Sequence, residues 1–151
     1  MHIRVLDLDG AIPRQETLLN RFQPFVHDLR TWGPRIRLGC RFRRFARFEK
    51  SLTGILGNEE KSEPVLTLYG SGDFHHVSLA LLRRQRCPFN LLVLDNHPDW
   101  MRAIPFLHCG TGCTTPRACR RCSRSITSAA TWILTIPSGG LLPGHCFDPA
   151  E

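Results

Sequence analysis

The chain has 151 residues, of which 42% are hydrophobic and 22% charged. This composition favours one ordinary globular domain and excludes a wholly disordered or collagen-like chain. Its apolar runs are all shorter than the roughly 18 residues of a membrane-spanning helix, and Asp7 and Asp9 interrupt the apolar stretch that a secretory signal requires. We therefore expect a cytoplasmic protein without a membrane partner.

The net charge of +7 depends on Arg, which supplies 18 of the 20 basic residues. Arg codons are mostly GC-rich, so a GC-rich gene produces this bias without selection for nucleic-acid binding. Net charge indicates solubility and nonspecific association rather than fold. We therefore do not expect nucleic acid as a partner.

The first 111 residues alternate short apolar runs with amphipathic stretches, which predicts an α/β domain with a mainly parallel sheet. Ile3–Leu6 predicts a first strand and Arg35–Cys40 a weaker second one. Val65–Tyr69 and Leu91–Leu94 predict two further strands. Four consecutive aliphatic residues, as in Leu91–Leu94, are typical of a strand that is covered on both faces.

Two helices are predicted between these strands. Apolar residues recur at spacings of three and four before Gly57, which can end a helix. The predicted apolar face consists of Phe42, Phe45, Phe48, Leu52, Ile55 and Leu56. Val77–Gln85 predicts the second helix.

Polar segments follow two of the predicted strands. Val65–Tyr69 is followed by Gly-Ser-Gly-Asp-Phe-His-His (residues 70–76), and Leu91–Leu94 by Asp-Asn-His-Pro-Asp (residues 95–99). Open α/β sheets place their sites at the carboxyl ends of strands, and carboxylate with imidazole is a suitable ligand set for Mn, Zn or Fe. The pair of segments predicts a metal site. The alternative is that Asp95 and Asp99 cap a helix and the histidines lie on the surface.

The pair GSGDFHHVSLALL and LLVLDNHPD resembles the arginase and agmatinase (ureohydrolase) superfamily. Its pattern is a Gly-Gly-Asp-His segment that opens a helix, then Asp-x-His-x-Asp after the next strand. The resemblance implies a three-layer arginase-like fold with a mainly parallel sheet. It also implies a binuclear manganese centre that activates water to hydrolyse a C–N bond of a small-molecule substrate.

Site residues follow from the same resemblance. It implies metal ligands at His75, Asp95, His97 and Asp99, with Asp95 bridging both ions. Phe74 and a second histidine are inserted in the first motif, so the first ligand is His75 or His76, and we favour His75. Asp73 would orient its neighbours rather than bind. Leu-His-Cys-Gly-Thr (residues 107–111) is similar to the His-Gly-Thr region of agmatinases, which implies a proton shuttle at His108; a solvent-exposed loop histidine is the alternative.

The composition changes near residue 111. From Gly112 onward no helical or strand period is sustained, and only Thr131–Ile136 predicts a short strand. The later Asp-x-Asp motif that completes the family's metal centre is absent from this chain. We therefore predict an incomplete arginase-like domain over residues 1–111 and an irregular segment over residues 112–151, with no hydrolase activity in the truncated chain.

A shift of reading frame accounts for this change. Residues 111–114 written as ACC GGC TGC ACC become ACC TGG CTG CAC when one T is restored, which encodes Thr-Trp-Leu-His. In that frame residues 127–136 can encode HVGGDLDFDNP, which contains the missing Asp-x-Asp motif. One of its aspartates is encoded by bases that overlap the codons of Trp132 and Ile133. This aspartate is encoded whatever codons these two residues use. The hypothesis is a single-nucleotide deletion near Gly112.

Two other interpretations remain open. Cys109, Cys113, Cys119 and Cys122 could form a small zinc knot that binds nucleic acid through nearby arginines, although their spacing differs from that of zinc ribbons. Val-Leu-Asp-Leu-Asp-Gly (residues 5–10) resembles the first motif of haloacid-dehalogenase-type phosphatases, but Arg4 interrupts its apolar strand. An ordinary turn at Asp9-Gly10 is the alternative there.

Overall fold

The structure is a computed structural model that describes residues 2–57, 64–85, 89–94, 101, 106–111, 122–128 and 132–137. The chain forms two compact units: Met1–His75 with Ile104–Cys109, and His76–Ala103 with Gly110–Glu151. In chain order the helices and strands are β1 (His2–Asp7), α1 (Glu16–Phe22), β2 (Phe25–Asp28), α2 (Gly33–Ile36), β3 (Gly39–Cys40), α3 (Phe42–Leu56), β4 (Val65–Tyr69), α4 (Val77–Leu82), β5 (Phe89–Leu94), β6 (Leu107–His108), β7 (Cys122–Ser128) and β8 (Trp132–Pro137).

β1 is the central strand of a parallel sheet in the first unit, with the order β2-β1-β4. Val5 and Leu6 are completely buried although they point to opposite faces, as expected of a parallel strand that is covered on both sides. Arg4 is also buried, and its Nε donates a hydrogen bond to Oγ1 of Thr67 on β4 at 2.8 Å. Thr67 therefore supplies a hydrogen-bond acceptor for this buried guanidinium.

The strands predicted at Ile3–Leu6 and Val65–Tyr69 are confirmed as β1 and β4. β2 was not predicted. It is a short edge strand whose Phe25 and Val26 are both exposed, so it lacks the alternation of apolar and polar residues that reveals a half-buried strand.

The predicted helix before Gly57 is confirmed as α3. Phe45, Phe48 and Leu52 are buried, and the Phe48 ring meets Trp32 edge-to-face with ring centroids 5.7 Å apart. Gly57 ends the helix with φ +62°, and its N–H donates to the Thr53 carbonyl. The predicted apolar face is too wide, because two of its members, Phe42 and Ile55, are exposed.

The strand predicted at Arg35–Cys40 is wrong over most of its length. Pro34 lies in the first turn of α2, where its fixed φ favours a helix. Leu38 then has φ +60°, which breaks an extended run, and only Gly39–Cys40 forms a strand. This strand, β3, pairs antiparallel with β6, with Gly39 opposite His108 and Cys40 opposite Leu107.

The second unit contains α4 and a sheet with the order β7-β5-β8. α4 is shorter than the predicted Val77–Gln85, and Val77, Leu79 and Leu82 are buried. β5 contains the predicted Leu91–Leu94 and begins at Phe89. It is parallel to β7 and antiparallel to β8.

The segment after residue 112 is not irregular throughout. β8 confirms the strand predicted at Thr131–Ile136, with a shift of one residue. β7 was not predicted, and for Cys122–Ser128 the expectation of irregular structure is wrong. Both strands form their backbone hydrogen bonds with β5, so pairing to an apolar central strand compensates for a weak local pattern. The boundary near residue 111 stays a prediction.

The structure is therefore mixed α/β, and the three-stranded sheet of the first unit is parallel. Among the residues that the structure describes, no helix is long and apolar enough to cross a membrane.

Core packing on α3 gives a first prediction. Phe48→Ala should lower the free energy of unfolding by about 3–5 kcal/mol, because it opens a cavity at a fully buried position. Phe42→Ala makes the same chemical change on the same helix at a position that is 49% exposed, and should cost about 1 kcal/mol or less. Urea unfolding of both variants measures the difference. Equal losses would contradict the burial pattern of α3.

Candidate functional site

The candidate site begins at the carboxyl edge of the parallel sheet in the first unit. β1 and β4 are parallel neighbours, with Leu6 paired to Tyr69. The segment that follows Asp7 and the segment that follows Tyr69 therefore leave the sheet at the same edge, where α/β sheets place ligands.

The first of these segments is a tight turn at Asp7-Leu8-Asp9-Gly10. Oδ1 of the buried Asp7 accepts a hydrogen bond from the Gly10 N–H at 2.7 Å, and Oδ1 of Asp9 accepts one from the Ala11 N–H at 2.9 Å. Gly10 has φ +73°, a conformation that glycine adopts without strain. These are the contacts expected of the turn interpretation.

Asp9 connects this turn to the second segment. Its Oδ2 accepts a hydrogen bond from the Ser71 N–H at 3.2 Å. Partial burial raises the pKa of the Asp9 carboxyl, but hydrogen bonds from Ala11 and Ser71 and the charge of Arg14 outweigh burial. The net effect lowers the pKa of Asp9 below its usual value. The carboxylate therefore stays charged and holds the two segments together at neutral pH.

The second segment turns sharply because of Gly70 and Phe74. Gly70 has φ +47°, and a side chain there would come within 2.6 Å of the Phe74 ring. Phe74 is buried in the 3₁₀ turn Gly72–Phe74. The residue that is inserted relative to the ureohydrolase pattern is thus a core residue that shapes the turn.

Both the side chain and the backbone of Asp73 accept hydrogen bonds. Its Oδ2 accepts a hydrogen bond from Nε of Arg37 at 2.7 Å, and its carbonyl oxygen accepts one from the Leu38 N–H at 3.0 Å. Arg37 and Leu38 thus hold Asp73 in place, and the expectation that Asp73 orients its neighbours stays a prediction.

The two histidines after Asp73 differ in their surroundings. His75 is partly exposed and lies beside Gly72, where an added Cβ would be 3.6 Å from the imidazole Nε2. His76 is completely buried directly before α4. The choice between them as the metal ligand stays a prediction, although a partly exposed ring is more accessible to an ion than a fully buried one.

His108 lies in β6 opposite Gly39, and it is partly buried. A Cβ at position 39 would come within 2.9 Å of the His108 Cβ and 2.7 Å of the Leu107 carbonyl oxygen. This contact requires glycine. Sequence reasoning missed the Arg37–Gly39 segment, although a lone glycine in a strand pattern does indicate close backbone approach.

The remaining predicted ligands, Asp95, His97 and Asp99, lie outside the described residues, as do Cys113 and Cys119 of the zinc interpretation. β5 ends at Leu94, directly before Asp95 in the sequence. Within the described part of the chain, no group of three or more His, Cys, Asp or Glu side chains is placed to hold a metal ion. The predicted ligand set therefore stays a prediction.

Comparisons with known proteins show one relative of the chain. A protein of Thermotoga maritima, described as uncharacterized, is 32% identical over 108 residues. The match covers 72% of this chain and 40% of the relative, so the chain spans less than half of the relative's length. No family model matches the chain, and no solved structure matches it.

The ion pair beside this edge gives a prediction about pH. Hydrogen bonds from Arg30 lower the pKa of Asp28 to about 2 from its usual 3.8. A lowered pKa means that the pair stabilises the fold above about pH 4, and that this contribution disappears as the pH falls toward 2. Arg30→Gln should return the pKa of Asp28 toward 3.8. Carboxyl NMR titration measures this, with Arg35→Gln as the control because Arg35 lies over the Trp32 ring. An Asp28 pKa unchanged by Arg30→Gln would contradict the assignment.

Proposed function

We propose that the chain derives from a hydrolase of the arginase and agmatinase type, which uses manganese to hydrolyse a C–N bond of a small-molecule substrate. The observation that supports it is the order of elements around the two motifs. β4 ends at Tyr69, His75 follows, α4 begins at Val77, and β5 ends at Leu94 directly before Asp95. This strand, motif, helix, strand and motif order is the structural context that the resemblance requires.

The three-layer arginase-like fold follows from the same resemblance. The cytoplasmic location and the lack of a membrane or nucleic-acid partner follow from the composition and the charge of the chain. The parallel pairing of β1 with β4 and β2 supports the fold, because the family's sheet is mainly parallel.

The donor set suits manganese. His75 and His97 supply imidazole nitrogen, while Asp95 and Asp99 supply carboxylate oxygen, and Mn²⁺ accepts this mixture. When bound, manganese would supply a water activated for attack on the carbon of the C–N bond. Asp95 would hold the metal with its carboxylate, and His108 would carry a proton between the site and the solvent.

Turnover also requires residues beyond these four ligands. In the family a later Asp-x-Asp motif completes the metal centre, and the chain's own reading frame does not contain it. The frame restored near codon 112 can encode that motif. The greater length of the Thermotoga relative, of which this chain spans 40%, supports a longer parent protein.

Manganese titration tests the ligand assignment. We expect weak binding to the 151-residue chain, and His75→Ala should weaken it by about tenfold or more, because a coordinating nitrogen is lost. His27→Ala is the matched control, since His27 on β2 belongs to neither motif. Electron paramagnetic resonance of free Mn²⁺ measures the affinity. Equal losses in the two variants would contradict His75 as a ligand, and a loss in His76→Ala without one in His75→Ala would assign the ligand to His76.

Restoring the frame tests the activity. The chain with one T restored near codon 112 should bind manganese tightly and hydrolyse a guanidinium or amide substrate, whereas the unrepaired chain should not. Asp95→Ala in the restored protein should abolish both properties, and Asp28→Ala, on β2, should retain them. Urea or ammonia release measures turnover across a panel of guanidinium compounds. Robust manganese-dependent hydrolysis by the unrepaired chain would contradict the role of the missing motif.

A further inference from the structure

A short segment between α2 and β3 contacts the neighbours of both candidate histidines in the first unit. We call Arg37–Gly39 the bridging segment. On one side it binds Asp73, two residues before His75. On the other side it pairs with β6, which carries His108. The two histidine segments are far apart in the sequence, and this segment connects them through direct contacts.

The contact with Asp73 has two components. The Arg37 guanidinium donates to the Asp73 carboxylate at 2.7 Å, and the Leu38 N–H donates to the Asp73 carbonyl at 3.0 Å. One bond fixes the side chain of Asp73 and the other its backbone. Because the His75 N–H donates to the Gly72 carbonyl within the same 3₁₀ turn, the position of Asp73 determines that of His75.

The contact with β6 is equally close. The Leu38 carbonyl accepts a hydrogen bond from the Cys109 N–H at 2.9 Å. Gly39 lies directly opposite His108, at a distance that leaves no room for a side chain. The backbone of His108 is therefore held between Gly39 and the Leu38 to Cys109 hydrogen bond.

The backbone of Leu38 is strained. It has φ +60°, a conformation that is unfavourable for a non-glycine residue, and its side chain is 56% exposed. Packing of an exposed side chain does not offset such strain, so the hydrogen bonds on both sides of the residue maintain it. Backbone strain of this kind persists where surrounding contacts hold the residue, often beside functional sites.

We infer that the bridging segment is a positioning element that fixes His75 relative to His108 in the proposed hydrolase. The inference rests on the proposed function for its purpose and on the described contacts for its geometry. Arg37, Leu38 and Gly39 act through Asp73 and β6, and they take no part in the chemistry.

Histidine NMR on the full chain tests the inference. Arg37→Gln should shift the imidazole Cε1–H signals of both His75 and His108, and Arg37→Lys, which keeps the cation, should shift them less. Arg30→Gln is the control: Arg30 is 63% exposed and Arg37 64%, and both pair with aspartates of the first unit, Arg30 with Asp28 and Asp7 and Arg37 with Asp73. The control should leave both signals in place. Signals are assigned with His75→Gln and His108→Gln.

Amide exchange gives a second readout. Arg37→Gln should accelerate exchange of the Leu38 and Cys109 amides by about two- to fivefold, the range expected for an exposed ion pair, with little change in thermal unfolding. Gly39→Ala should shift the His108 signal most, because the added methyl group meets the Cβ of His108. Three results would each overturn the inference. They are unchanged histidine signals in Arg37→Gln, a shift of the His75 signal alone in Arg37→Gln, and an equal shift of both signals in Arg30→Gln.

These readouts require neither manganese nor substrate, which separates the two proposals. Suppose that Arg37→Gln shifts the signals of both His75 and His108, but the protein with the restored frame binds no manganese. This result would refute the proposed hydrolase and leave the positioning contacts established. An active restored enzyme in which Arg37→Gln leaves both histidine signals unchanged would refute the bridging segment alone.

Discussion

The arrangement of the first unit depends on the parallel pairing of β1 with β4. Val5 and Leu6 are buried on opposite faces of β1, so a slip of one residue would bring Asp7 or Arg4 into their places. The register therefore fixes where both strands end. The Asp7 turn and the Gly70–His75 segment therefore leave the sheet at one edge, where the Ser71 N–H donates a hydrogen bond to Asp9.

The carboxylates at this edge differ in what they contribute. Asp7 is buried, and its charged carboxylate accepts a hydrogen bond from the Gly10 N–H, a contact worth about 1.5–3 kcal/mol. Asp73 forms its ion pair with an Arg that is 64% exposed, where solvent screening reduces such a pair to about 0–1 kcal/mol. Asp7 therefore matters mainly for stability. The contact between Asp73 and Arg37 matters mainly for geometry, because it adds little to stability yet determines the position of the turn before His75.

Periodicity predicted β1, β4 and α3, because each buries apolar residues at a regular spacing and ends at a turn or a glycine. It could not predict Arg37–Gly39, where Leu38 has a left-handed backbone conformation instead of the expected extended one. Hydrogen bonds to Asp73 and Cys109, which are distant in sequence, hold this conformation, and the spacing of apolar residues does not reveal such bonds. β7 was missed for a similar reason, since its pairing with β5 is non-local. At the site, the sequence located the segment between β4 and α4 that contains His75, but it predicted neither β6, which carries His108, nor the segment that connects the two.

The conformation of Leu38 shows why that connection is specific. Arg37 closes α2 by donating its N–H to the Gly33 carbonyl, so the chain must reverse from a helix into β3 within one residue. A left-handed residue does this while pointing its N–H toward Asp73 and its carbonyl toward Cys109. Glycine would adopt the same φ with less strain but would also allow many other conformations. Leu38 is restricted to few conformations, and both its N–H and its carbonyl form hydrogen bonds. A displacement of Asp73 therefore moves β6 as well, because the backbone of Leu38 cannot easily change to compensate for it.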